Sequence, residues 1–322
     1  MELSSYDLKC KEIQAKVYAA VHGGRQPNSF EPWKQPGKTV LESGEVCLND
    51  LCYSSSCPNS FFDIWYPDEQ KRTRPTVIYF HGGGFIFGDK SNGDPLSVSK
   101  GTTAKLLEIV KAGYNLVNAN YALAPEYRFP YQLNQVDLLI RYLQEHADEL
   151  GLDMKHVCLS GSSAGADLTE IYGAAVSNAD YAMKLGLEPC ITPNELRVLA
   201  IDEAALDCRS FDEALYTLLL CWLGGTEREY SGKLASLDAK AHIQNTYIPS
   251  WINTSNRGIY FIREAIDLAE KLKEIDVDHD VVYFPADAAD LDHGYMDLYA
   301  TNTYAREALD RMLAFIKKQL SD

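Results

Sequence analysis

The stretch His156-Val157-Cys158-Leu159-Ser160-Gly161-Ser162-Ser163-Ala164-Gly165 constrains this chain more than any other. An apolar, β-prone run ends there in Gly-x-Ser-x-Gly. A chain that turns from strand into helix so sharply comes close to its own backbone. Cβ atoms at 161 and 165 would collide with neighbouring main chain. The same turn lifts the Ser163 hydroxyl above the sheet edge and aims the Ala164 N–H at whatever oxygen sits beside it. A small-residue turn can also be merely structural, so the rest of the chain has to decide.

Two further segments do so. Residues 75–80 read as a buried strand that runs into His81-Gly82-Gly83-Gly84-Phe85. Residues 281–284 read as a strand followed by Asp292-His293-Gly294-Tyr295. Glycine loop, serine, histidine is the order expected of an α/β-hydrolase, in which the acid normally lies between serine and histidine. An imidazole titrating near about pH 6.5 suits proton shuttling at neutral pH.

The chain has 322 residues, 46% of them hydrophobic, and a net charge of -16. That length suits one α/β domain with insertions. An acidic surface repels phosphate backbones and anionic headgroups, so no nucleic acid is expected as a partner, and solubility is reason enough for the charge. No apolar run approaches the ~20 residues of a membrane span. Residues 1–24 lack the basic-then-apolar layout of a signal peptide. Of the eight cysteines, Cys47, Cys52 and Cys57 form no Cys-x-x-Cys pair and have no nearby histidine. Free thiols in a cytoplasmic protein, with no metal or other cofactor, are therefore expected. A homodimer is left open.

Strands are expected near 44–52, 60–66, 75–80, 114–119, 155–160, 197–202, 249–254 and 279–285. Helices are expected at about 4–21, 103–112, 131–150 with Gly151 as a C-cap, 164–177, 259–274 and 303–320. Residues 25–40, rich in Pro, Gly and Asn, read as a loop. The expected architecture is a single α/β-hydrolase domain spanning 1–322. Its mostly parallel eight-stranded sheet carries helices on both faces. A small helical cap is expected from 1–40, about 178–195 and 209–248, to wall a substrate pocket.

The glycine loop, Tyr121-Ala122-Leu123-Ala124-Pro125-Glu126 with Phe129-Pro130, Gly161 to Gly165 and His293-Gly294-Tyr295 together resemble the hormone-sensitive-lipase-type carboxylesterases over about residues 60–320. The resemblance implies that Gly83 and Gly84 supply oxyanion-hole N–H groups alongside Ala164. It implies Ser163 as nucleophile and His293 as base. The stretch from Tyr121 to Pro130 would brace the oxyanion loop, which makes Glu126 and Arg128 structural, with Arg128 binding a substrate carboxylate as the alternative; His81, just before the hole, reads as a structural hydrogen-bonding residue rather than the base.

One element of the pattern is missing. The family's acid usually follows the seventh strand, which places it at Gly258 or one residue either side, and no carboxylate is there. The acid could have moved to the end of the preceding strand, at Asp202 or, second, Glu203. The site could run as a Ser-His dyad with Asn256 orienting the ring. Or the protein binds a ligand rather than cleaving one. Asp292 is badly placed to hold the ring of its own neighbour. The reading adopted is a serine carboxylesterase for small, short-chain esters, with Ser163, His293 and Asp202 as triad. An inactive ligand-binding protein and an amidase or exopeptidase are the alternatives.

Overall fold

Strands that stay buried residue after residue are those covered on both faces of a sheet. The computed structural model, which describes residues 3–21, 23–70, 73–91, 103–207 and 213–321, has several at its centre. Its strands are β1 (Gly37–Val40), β2 (Val46–Cys52), β3 (Phe61–Tyr66), β4 (Arg74–Phe80), β5 (Asn115–Ala119), β6 (Leu152–Ser162), β7 (Leu196–Asp202), β8 (Ser250–Asn253) and β9 (His279–Val282). All of β5 and β8 is buried, as are the last five residues of β4 and β7. They form one sheet in the order β1-β2-β3-β5-β4-β6-β7-β8-β9. The first three strands run antiparallel at one edge, and from β5 onward the pairs are parallel.

The described sheet thus has nine strands, not the expected eight. The addition is β1, whose four residues are all exposed. It lies at the edge of the stretch whose composition reads as a loop, and it has no buried face to leave a period-two pattern.

The helices are α1 (Ser5–Val21), α2 (Thr103–Lys111), α3 (Tyr131–Glu145), α4 (Ala147–Leu150), α5 (Ala164–Ser177), α6 (Ala179–Leu185), α7 (Glu213–Leu223), α8 (Glu227–Leu237), α9 (Ile259–Glu274) and α10 (Thr303–Leu320). Because consecutive strand residues face opposite sides, the sheet builds two cores. Val77, Cys158 and Val198 pack with Leu106 and Ile109 of α2 and with Leu309 and Ile316 of α10. Ile78, Leu159 and Leu199 pack on the other face with Leu139 of α3, Leu168 of α5 and Leu268 of α9. Gly151 ends α4 in the left-handed conformation, at φ 67°. Among the described residues no helix is long and apolar enough to cross a membrane.

Helices α1 and α7 lie against each other and against the loop that follows β4. Arg128 joins them, through Asp7 Oδ2 at 2.9 Å and the Cys221 carbonyl at 3.1 Å. Residues 209–212 of the expected cap stretch lie outside the described residues.

Candidate active site

Ser163 stands between β6 and α5 at φ 54°, ψ −120°. A non-glycine residue held there carries backbone strain of about 1–3 kcal/mol. The neighbouring strand β7 and the first turn of α5 fix it: its N–H donates to the Asp202 carbonyl at 2.8 Å, and its carbonyl accepts from Asp167 N–H at 3.0 Å. The flanking glycines are needed for space. A Cβ on Gly161 would lie 2.1 Å from the Gly165 oxygen, and one on Gly165 would lie 2.0 Å from the Phe80 oxygen.

The glycine loop leaves the end of β4. The Gly83 carbonyl accepts from Ile86 at 3.1 Å and Phe87 at 3.2 Å, a tight turn with Gly83 at φ 111°. A Cβ on Gly84 would meet Leu218 Cδ1 of α7 at 2.5 Å. The Phe85 ring stacks on Trp222 of α7 with centroids 3.6 Å apart. Residues 121–130 hold the loop from behind. Tyr121 Oη donates to the His81 carbonyl at 2.8 Å, and Ala124 N–H to the Phe85 carbonyl at 2.8 Å. Gln14 of α1 adds a brace that no motif announces, donating to the Ile86 carbonyl at 2.6 Å and the Ala124 carbonyl at 3.3 Å.

His293 lies after β9, and Nδ1 is 3.2 Å from Glu203 Oε2. Its ring stacks on Phe261 with centroids 4.6 Å apart. Glu203, directly after β7 at φ 64°, is wholly buried. Its Oε2 accepts from Gly294 N–H at 2.6 Å and its Oε1 from Ser255 N–H at 3.1 Å. Burial pushes this carboxyl up. The His293 imidazole and those two N–H groups more than offset it and hold the acid below the usual range.

Asp202, the first candidate for the acid, has other partners than the imidazole. Its Oδ2 lies 3.0 Å from Lys105 Nζ, and its Oδ1 accepts from Asn253 Nδ2 at 2.7 Å. Asn256 does not hold the imidazole either. It donates to the Phe284 and Ala289 carbonyls at 2.9 and 2.7 Å, and accepts from Leu291 N–H at 3.0 Å. Asp292 Oδ1 accepts the His293 backbone N–H at 2.8 Å rather than the ring. Gly258 begins α9 at φ 80°. Ser163 and His293 both adjoin the Asp202–Glu203 strand end, Ser163 by its backbone and His293 by its ring. A cavity of about 920 Å³ lies beside the far end of α5, lined in part by Val176, Met183 and Thr192, about 18 Å along the helix from Ser163.

A family model described as BD-FAE matches residues 62–205. Arylacetamide deacetylase of Oryctolagus cuniculus is 28% identical over 251 residues, 76% of this chain and 59% of that protein. Esterase LipI of Mycobacterium tuberculosis is 32% identical over 105 residues, 33% of this chain and 30% of its own length. The chain therefore spans less than two thirds of the length of these relatives. Among solved structures, esterase B of Lactobacillus rhamnosis has a TM-score of 0.75 at 18% identity, over 98% of this chain and 96% of that one. The carboxylesterase EstE1 from a metagenomic library has a TM-score of 0.66 at 19% identity, over 98% and 96%.

The chain has the α/β-hydrolase fold. Within that fold it resembles the hormone-sensitive-lipase-type carboxylesterases, as its sequence motifs imply.

Proposed function

We propose that the chain is a serine carboxylesterase that hydrolyses small, short-chain carboxylic esters through an acyl-enzyme. The observation that carries this reading is the 3.2 Å contact of His293 Nδ1 with the buried carboxylate of Glu203. It supplies the acid that the motif pattern lacks at Gly258. With Nδ1 held there, Nε2 is left to take the Ser163 proton. Ser163 Oγ then attacks the ester carbonyl. The developing oxyanion faces the N–H groups of Gly83, Gly84 and Ala164, each worth about 10²–10³ in rate in comparable sites. His293 returns the proton to the leaving alcohol. Water, deprotonated by His293, then releases the acid. Glu203 keeps the imidazole in one tautomer and stabilises the imidazolium, a role worth about 10⁴ in serine proteases. The described cysteines are free thiols, which fits a reducing compartment such as the cytoplasm.

A fluorophosphonate should label Ser163, and Ser163→Ala should abolish both labelling and hydrolysis of p-nitrophenyl butyrate. A folded protein that does neither would favour a ligand-binding role on the same fold. The likeness to a protein named arylacetamide deacetylase supports amide hydrolysis as a second reading. An anilide assayed beside the ester separates the two.

A further inference from the structure

A buried lysine sits beside the His293–Glu203 pair, and the chemistry above has no use for it. Lys105, in the first turn of α2, is 3% exposed. Its Nζ lies 3.0 Å from Asp202 Oδ2 and 2.9 Å from Asp297 Oδ1. These carboxylates belong to different segments. Asp202 ends β7, immediately before Glu203. Asp297 lies in the 3-10 turn Tyr295–Leu298 that follows His293. A second path joins the same segments: Tyr295 Oη donates to Asn253 Oδ1 at 2.6 Å, and Asn253 Nδ2 donates to Asp202 Oδ1 at 2.7 Å. The result is a closed ring of Lys105, Asp202, Asn253, Tyr295 and Asp297. The void beside Lys105, lined by Tyr79, Ser160, Met296 and Met312 among others, holds about 10 Å³. That admits no substrate group, so the ammonium serves the protein's own carboxylates. Burial alone would neutralise it, but Asp202 and Asp297 hold it charged, well above the ordinary lysine range.

We propose that Lys105 is a positioning residue. By gripping one carboxylate next to Glu203 and another in the turn after His293, it sets the separation of that pair. The inference rests on reading Glu203 and His293 as the catalytic pair. A misplacement of about 1 Å at such a site costs ~10²-fold in rate, so a clamp on the residue next to Glu203 and on the turn after His293 matters.

Lys105→Met alone would strand two buried carboxylates and destabilise the fold. The decisive variant is therefore the full chain carrying Lys105→Met, Asp202→Asn and Asp297→Asn, which removes the charges together and keeps similar volumes. Three readouts apply: thermal unfolding, kcat and KM on p-nitrophenyl butyrate, and the ¹⁵N-histidine spectrum that reports the His293 tautomer. The folded triple variant should lose ~10–10²-fold in kcat with KM within about twofold. The His293 signals should pass from one tautomer to a mixture. A folded triple variant with parental kcat and an unchanged imidazole spectrum overturns the proposal. So does one that cannot fold, which would assign the ring to the core. If the parent protein neither hydrolyses the ester nor takes the fluorophosphonate, the esterase reading fails instead. The tautomer readout then still decides the positioning.

Discussion

Glu203 is a carboxylate without solvent that is nonetheless held ionised, because the His293 imidazole and the N–H groups of Gly294 and Ser255 all point at it. A glutamine in its place can accept at only one of its two terminal atoms, so either the Gly294 or the Ser255 contact is lost and the imidazole loses its counter-charge. Glu203→Gln should lower kcat by ~10²–10⁴ with little change in KM, measured on p-nitrophenyl butyrate. Parental kcat in that variant would remove Glu203 from the site. Sequence puts Asp202 ahead of Glu203 as the candidate acid, whereas Glu203 is the carboxylate set against His293. The regular alternation of β7 ends at Asp202, and the left-handed backbone at Glu203 redirects the next side chain. Asp202 is claimed by Lys105, 97 residues earlier, a partnership that no local pattern encodes.

At the scale of elements, the glycine loop after β4 is shaped by what packs on it. Gly84 has φ 57°, and its missing Cβ makes room for Leu218 of α7. Gly84→Ala should therefore lower the denaturant midpoint as well as the rate, since left-handed backbone alone costs a side chain about 1–2 kcal/mol. Adding Leu218→Ala should recover the part due to the clash and leave the part due to φ. An unchanged midpoint in Gly84→Ala would contradict this account. The expected helices at 164–177, 259–274 and 303–320 coincide with α5, α9 and α10, because each has an apolar face or a cap that local sequence displays. The brace from Gln14 is invisible in the same way as Lys105. A buried glutamine within a helix looks like any polar position until its distant carbonyls are known.

Across the described residues, several acids are buried where desolvation outweighs the nearby cations. Asp167 at the start of α5 is pushed up to about 8, chiefly by burial, which the Ala205 N–H only partly opposes. Glu170 is likewise raised, by burial and by the neighbouring Glu264. The folded protein thus keeps protons that the unfolded chain gives up near about pH 4. Where the folded state binds more protons, stability falls as pH rises, by up to about 1.4 kcal/mol per pH unit for each proton. The melting temperature should therefore drop between pH 5 and pH 8. Asp167→Asn, which keeps an oxygen for Ala205 N–H, should flatten the slope. A melting temperature that stays level or climbs across that range would refute this. The sheet order has a further consequence. Gly83, Ser163, Glu203 and His293 follow β4, β6, β7 and β9, and these strands take their places, the last across β8, only once parallel crossovers from distant parts of the chain have closed. Pairings so distant in sequence form slowly. During refolding, helical signal would return well before turnover, and the reappearance of activity would mark the completion of the topology.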